Sequence, residues 1–304
     1  VGEVPQEVDR LVREREERRR AHDFAAADAL RGRVRELGFE IEDTEAGPNV
    51  SAAAHHVRRL KPQEVESVIE AAPAFDVSVN WVVQGWPEDV RRGIEAFRRH
   101  AGGRSVQHVV VDAAGIDPGS WPQDAEVVPL DRDHGWGAAR NAGLKRAAGR
   151  VVVVVDGSIE PTGDVLGPLQ RALEDDGVGV AGPFGIVTDD FRDFHPSEGP
   201  DVDAIEGYLM AFRREVLSTA GPFDDRFHFY RAADIEFSFR VKDRGLRCVV
   251  VPVPVARHEH RMWANTPPGE RDRLSKRNFS RFLERWRGRL DLCVAHQHHP
   301  GGEG

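Results

Sequence analysis

The stretch Val151-Val152-Val153-Val154-Val155-Asp156-Gly157-Ser158 decides the fold. Five consecutive β-branched residues predict a strand buried on both faces, since alternate side chains point to opposite sides and all five are apolar. Such strands lie inside a parallel sheet covered by helices. The Asp156 carboxylate then stands at the strand's carboxyl end, where open α/β sheets place their ligands. Just upstream, Gly135-Trp136-Gly137-Ala138-Ala139-Arg140-Asn141-Ala142-Gly143 leads into a helix expected over 137–148.

Outward from that junction the pattern alternates. Strands are expected at 77–83, 106–111 (ending at Asp112), 125–130 and 178–181, with helices over 88–100 and 164–175. Short connections between them predict a mostly parallel, doubly wound α/β sheet with helices on both faces. There is no internal repeat. Near the end, Leu274, Phe279, Phe282 and Leu283 share one face of a helix expected over 270–286. That face is suited to its own domain or to a second copy of the chain, and a basic outer face would suit anionic lipid.

The first 47 residues differ. Val8, Leu11 and Val12 form a narrow apolar stripe on a charged segment ending near Ala21. Asp23 is placed to cap a second helix carrying Phe24, Ala27, Leu30, Val34 and Leu37, with Gly38 to stop it. An extended piece, 39–44, follows. The expected organisation is a helical hairpin at 1–50, a linker at 51–74, a large domain at 75–265, and a helix and frayed tail at 266–304.

The 304 residues hold 42 Lys+Arg against 51 Asp+Glu, a formal net charge of -9. That balance argues against general affinity for nucleic acid, which rests on clustered cations. Cys248 and Cys293 are too few and too far apart for a disulfide framework or a paired-cysteine metal site, and point to a reducing compartment. No apolar run approaches the ~20 residues that span a bilayer, and the first residues lack the apolar core of a signal peptide. The chain therefore reads as cytoplasmic.

Two resemblances follow from particular residues. Arg18, Ala21, Asp23, Phe24, Ala27, Asp28, Arg31, Leu37, Gly38, Glu42, Asp43, Thr44 and Gly47 resemble the carboxy-terminal tail of cysteinyl-tRNA synthetases. That likeness implies a hairpin reused as a packing module, or a residual RNA contact. Over about 75–265, Gly137, Arg140, Asn141 and Gly143 before the valine strand, Asp156-Gly157-Ser158 after it, Ala233-Asp234-Ile235-Glu236-Phe237-Ser238-Phe239-Arg240, and a later histidine occur in one order. In that order they resemble the family 2 glycosyltransferases, which have the nucleotide-diphospho-sugar transferase (GT-A) fold.

The resemblance implies roles. Asp112 and Asp156 would meet the nucleoside and ribose-diphosphate, with Arg140, Asn141 and Ser158 on the donor side. Arg140 and Asn141 could equally tie their helix to the sheet. Asp234 aligns with the base that takes the acceptor's proton, and as a helix-start residue it could also be a cap. Ala233 stands where the family has glutamate. Glu206, Gly207, Tyr208 and Glu236 fall on the acceptor side, although Asp234 and Glu236 cannot both face one pocket. Asp156 and His258 would form the metal site for Mg²⁺ or Mn²⁺, a carboxylate-poor one because Ser158 replaces the second aspartate. Trp136, Trp263 and Trp286 are candidates for sugar stacking or for core. Val83-Gln84-Gly85-Trp86-Pro87 departs from the family's opening pattern.

The function implied is inverting transfer of a sugar from a nucleotide-diphosphate sugar to an acceptor hydroxyl. The alternative is a degenerate nucleotide-sugar-binding or RNA-contacting scaffold.

Overall fold

A computed structural model describes residues 4–37, 39–44, 47–52 and 58–297. It divides into two compact units, 1–58 and 59–304.

In the first unit α1 (Gln6–Arg20) and α2 (Phe24–Glu36) form the hairpin. The Asp23 Oδ1 accepts from the Ala26 amide at 3.2 Å, so the expected cap is present. Gly38, the expected stop, lies outside the described residues. The extended piece is β1 (Phe39–Thr44), and β2 (Gly47–Ala52), which runs from the end of the expected hairpin segment into the expected linker, pairs antiparallel to it. Val8, Leu11, Leu30, Val34 and Ile41 make the small core. Buried Arg15 grips Asp43 with two hydrogen bonds of 2.8 Å, which bring that carboxyl down to about 2.

In the second unit, residues 59–74 of the expected linker lie on the body. Leu60 bridges to Leu130, and Val65 is buried with Val109 and Val111. There follow β3 (Phe75–Val83), α3 (Pro87–Arg99), β4 (Val106–Asp112), β5 (Ala125–Pro129), α4 (Trp136–Leu144) and β6 (Gly149–Val155). Next come β7 (Ile159–Pro161), α5 (Leu166–Ala172), β8 (Val178–Gly182), β9 (Gly185–Val187) and β10 (His195–Ser197). After them lie β11 (Asp201–Val202), β12 (Ala204–Ile205), β13 (Leu209–Arg213), α6 (Val216–Thr219) and α7 (Ala233–Lys242). The chain then forms β14 (Arg247–Val250), β15 (Val255–Arg257), α8 (Arg261–Asn265) and α9 (Pro268–Trp286).

The main sheet has the order β11-β14-β8-β13-β6-β3-β4-β5. The valine strand is buried on both faces. Val151, Val153 and Val155 pack in a core with Ile94 and Leu169, while Val152 and Val154 pack opposite with Phe212 and Phe237. The sheet is more mixed than the valines alone predict. β6 is parallel to β3 but antiparallel to β13, with Leu209 opposite Val155. That reversal delivers residues 206–208 to the tip of β6, where the Asp156 amide donates to the Tyr208 carbonyl at 3.0 Å.

The extended stretch between α7 and α8 is broken into β14 and β15 because Pro252 and Pro254 cannot donate to a ladder. The carboxy-terminal helix packs on its own domain, burying Asn278, Phe282 and Trp286; the latter two lie against Phe191 and Phe239. Trp286 is thereby a core residue. Among the described residues no helix is long and apolar enough to cross a membrane.

Candidate active site

A cavity of about 450 Å³ opens at the carboxyl end of β6. Its floor comes from Asp156, the 206–208 turn into β13, and the first turn of α7. The β9–β10 connection and α9 supply its rim, through residues such as Arg192, Phe194, Lys276 and Phe279.

Asp234 enters the cavity from the start of α7. Ala232 caps that helix in the left-handed region at φ 65°, a sparsely populated conformation that turns the chain sharply before Asp234. The Asp234 side chain does not cap the helix; its Oδ2 accepts from the Gly207 amide at 2.7 Å and its Oδ1 from the Ile235 amide at 2.9 Å. The backbone at 207 passes close to the base: a Cβ there would lie 3.3 Å from the Asp234 Cβ, a tight contact. Burial raises the Asp234 carboxyl above its ordinary range, against the pull of those amides. Glu206, the neighbour of Gly207, is pushed up to about 7 by burial and by the charge of Asp234.

Asp156 behaves in the opposite way. Burial alone would raise it, but hydrogen bonds from His260 and Ser158 prevail and hold it below its ordinary range. The Ser158 hydroxyl and amide donate to Oδ1 at 2.5 and 2.8 Å, and His260 Nε2 lies 3.4 Å from Oδ2. His260 also caps α8, its Nδ1 accepting from the Trp263 amide at 3.1 Å. With Nδ1 as acceptor, the proton of the neutral ring belongs on Nε2 and points at Asp156.

The histidine beside Asp156 is therefore His260, and His258 is directed elsewhere. β15 pairs with β7, the His258 amide donates to the Ser158 carbonyl, and its ring meets Glu160 at 2.8 Å. The chain then turns into α8 instead of staying extended, which brings the second histidine inward.

Other expected donor-side residues are occupied structurally. Arg140 is buried and donates to the Asn80 carbonyl at 2.6 Å and its Oδ1 at 3.0 Å, while touching the cavity beside Trp136. Burial lowers its pKa to about 10, against the attraction of Asp156. Asn141 does not line the cavity; it bonds the Phe223 backbone in both directions, pinning α4 to the 221–225 turn. Asp112 is buried at the end of β4, where Arg59 meets it at 3.1 Å. Ser158 lies in a small crevice beside Asp156. Glu236 is turned away into a buried pairing with Arg240 and Arg285, both at 2.9 Å.

On the acceptor side, Glu206, Gly207 and Tyr208 do line the cavity with Asp234. Tyr208 packs its ring edge-on to His260 and beneath the Arg257 guanidinium. Its hydroxyl is raised by burial and by Glu206. Tyr230 and Arg231 also line the cavity without belonging to any of the expected motifs; Arg231 stacks on Trp263, which Arg271 covers too. Their only sequence signal is position, just before the Asp234 segment. Lys276 and Arg192 carry no spacing signal at all.

This architecture, with its cavity at the tip of β6, is that of the GT-A nucleotide-diphospho-sugar transferases. Residues 107–236 match the family described as Glycosyl transferase family 2. Residues 1–48 match the Cysteinyl-tRNA ligase anticodon binding domain. The same segment is 49% identical over 51 residues to the cysteine–tRNA ligase of Methanosarcina acetivorans, covering 17% of this chain and 11% of that protein. With the enzyme of Chlamydia felis it is 50% identical over 48 residues, 16% of this chain and 10% of that one. The chain thus spans about a tenth of these curated relatives.

Two solved structures share the fold. GalNAc-T7, crystallised with UDP, GalNAc and Mn²⁺, has a TM-score of 0.59 at 17% identity, covering 71% of this chain and 49% of its own. The mannosyltransferase PcManGT from Pyrobaculum calidifontis, in complex with GDP-Man and Mn²⁺, has a TM-score of 0.51 at 18% identity, covering 78% and 72%.

Proposed function

We propose that the second unit transfers a sugar from a nucleotide-diphosphate sugar to an acceptor hydroxyl with inversion, Asp234 acting as base. The observation that carries this reading is the Asp234 carboxyl, raised by burial and fixed by two backbone amides, opening on a cavity that also holds Asp156. A base must be near the proton it takes and have an affinity for it that approaches the working pH. Each Asp234 oxygen spends one lone pair on an amide and keeps another for the acceptor proton. As the acceptor oxygen bonds the anomeric carbon, the bond from that carbon to the diphosphate breaks, and the diphosphate leaves with the electron pair. Arg231, Lys276 and His260 can meet that developing negative charge.

Asp156 and His260 suit a divalent cation shared with the donor. Their facing atoms are 3.4 Å apart, close enough for one ion to touch both, and such ions commonly take one or two protein ligands with phosphate oxygens completing the shell. A bound Mg²⁺ or Mn²⁺ would neutralise the diphosphate. To ligate through Nε2, His260 must carry its proton on Nδ1, so the Trp263 amide would lose its acceptor. The UDP, GalNAc and Mn²⁺ bound to one structural neighbour and the GDP-Man and Mn²⁺ bound to the other are consistent with this reading.

Melting temperature measured with UDP, GDP and dTDP sugars, with and without Mn²⁺, tests donor binding, because a ligand of the folded state raises apparent stability. At least one nucleotide should shift the melting point. Absence of turnover with every such donor, together with unchanged behaviour of Asp234→Ala, rejects the enzyme.

A second reading, an RNA contact by the first unit, is favoured by the match to an anticodon-binding domain. Its arginines are partly committed, Arg15 and Arg19 to Asp43 and Arg31 to the Ile41 carbonyl. Absence of tRNA binding by the full chain at low salt ends that reading.

A further inference from the structure

We infer that Glu206 is an acceptor-positioning residue that keeps its proton and donates it in a hydrogen bond to the hydroxyl beside the one that Asp234 deprotonates. The acceptor is thereby a compound with vicinal hydroxyls, such as a sugar or another polyol. This rests on the transferase reading above.

The geometry has three parts. First, the Gly207 amide is bound to Asp234 Oδ2 at 2.7 Å, so residue 206 is anchored one peptide unit from the base and both carboxyls open on the same cavity. Second, the Glu206 carboxyl has no hydrogen bond or ion pair among the described residues, whereas Asp156 and Asp234 each accept at least two hydrogen bonds. A half-buried carboxyl without protein partners is open to a hydroxyl of a bound ligand. Third, Ala233 leaves α7 without a carboxylate before Asp234, and Glu206 supplies a second one from β13's entry turn instead.

Its electrical surroundings agree. Asp234 pushes the Glu206 proton affinity up, while Arg257 of β15 and Arg231 of the turn before α7 pull it down; Tyr208 stands next to it. Elsewhere on the cavity wall stand Asp156, His260, Asp193 and Arg192, with Lys276 of α9 at the rim. Burial and Asp234 win, and Glu206 reaches about 7. The Asp234 charge opposes ionisation of Glu206. Asp234 is tied to two amides that favour its ionised form, and Glu206 is not, so the proton belongs to Glu206. In the transfer step the acceptor's reacting O–H proton goes to Asp234, and the Glu206 proton does not move.

Two measurements on the full chain test this. Carbon-13 NMR of glutamate-labelled protein should show one carboxyl titrating near neutrality, absent in Glu206→Gln and moved downward in Asp234→Asn. Transfer from whichever nucleotide sugar most raises the melting point is then followed with glycerol, a vicinal triol, and 1,3-propanediol as acceptors. Wild type should prefer glycerol by about tenfold and lose roughly tenfold or more between about pH 6.5 and about pH 8.5 as Glu206 ionises. Glu206→Gln, which can still donate, should keep the preference and lose the alkaline decline; Glu206→Ala should lose the preference. The inference is overturned if no glutamate titrates near neutrality, if Glu206→Ala keeps the preference, or if Glu206→Gln behaves as Glu206→Ala. If no nucleotide shifts the melting point, the transferase reading itself fails, and the NMR titration reports the carboxyl pair separately.

Discussion

Asp156 and Asp234 share one cavity, and burial acts on both in the same direction, yet their carboxyls are driven apart. Asp156 receives a serine hydroxyl, a serine amide and a histidine N–H, and stays ionised. Asp234 receives two backbone amides and no side-chain donor, and rises. Partners, not depth, separate them. Environment thus sorts two chemically identical groups into a permanently charged anchor and a group able to accept a proton.

The sharpest way to break that distinction is to remove the ionisable oxygen from each in turn. Asp234→Asn should lower kcat by about 10³-fold, within the usual range for losing a positioned base, while the melting shift from donor nucleotides is retained. If Asp234→Asn keeps a tenth or more of wild-type kcat, Asp234 is not the base. Because the Asp234 carboxyl lies above its usual range, activity should also fall on its acid side at a higher pH than an exposed carboxylate would give.

His108 extends the comparison to a group outside the cavity that has almost no partner. It is buried beside Trp81 and Phe97, accepts from the Trp81 indole at 3.3 Å, and its Nε2 has no partner among the described residues. Burial, and then nearby Arg98, lower its pKa to about 4. A base whose folded-state affinity is depressed is protonated first in the unfolded chain. Stability is therefore complete above about pH 6.5 and declines as pH falls toward about 4, by roughly 3 kcal/mol. Urea melts from about pH 7.5 to about pH 4.5 should record the decline, and His108→Gln, which leaves an acceptor for Trp81, should flatten much of it. An unchanged slope in that variant would place the acid sensitivity elsewhere.

How much of this was legible in the sequence depends on whether a residue's role is local. The valine strand and the Asp23 cap are local patterns, and each forms the expected type of element. The antiparallel partner of β6 was not legible, since nothing in Leu209–Arg213 fixes which way the strand runs. Side-chain commitments were hidden for the same reason. Asn141 is consumed by Phe223 and Glu236 by Arg285, partners 82 and 49 residues away. Arg59 of the expected linker sits on Asp112, and Tyr230 with Arg231 enters the cavity through a left-handed turn at an alanine, which carries no compositional mark. Those contacts belong to tertiary packing, and periodicity is blind to them.

On the Asp156 side smaller effects are expected, because the anchor acts through binding. Asp156→Asn should weaken the donor melting shift and raise the donor KM by roughly 10- to 100-fold, with a smaller change in kcat. An equal loss in kcat and kcat/KM would instead put Asp156 in the chemical step and erase its difference from Asp234.

The smallest effect belongs to the two histidines that follow β15. His260 faces Asp156, and His258 faces Glu160 on the outer side of β7. His260→Ala removes both the donor to Asp156 and the cap of α8, so it should lower donor affinity by about tenfold and cost up to ~1 kcal/mol of stability. His258→Ala removes only an exposed pairing, usually worth less than ~1 kcal/mol, and should leave donor affinity within about twofold. If His258→Ala were the variant that lost nucleotide binding and His260→Ala kept it, the assignment of Asp156's partner would be reversed. The lowered proton affinity of Asp156 would then need another cause, since the His260 hydrogen bond is what chiefly opposes the effect of its burial.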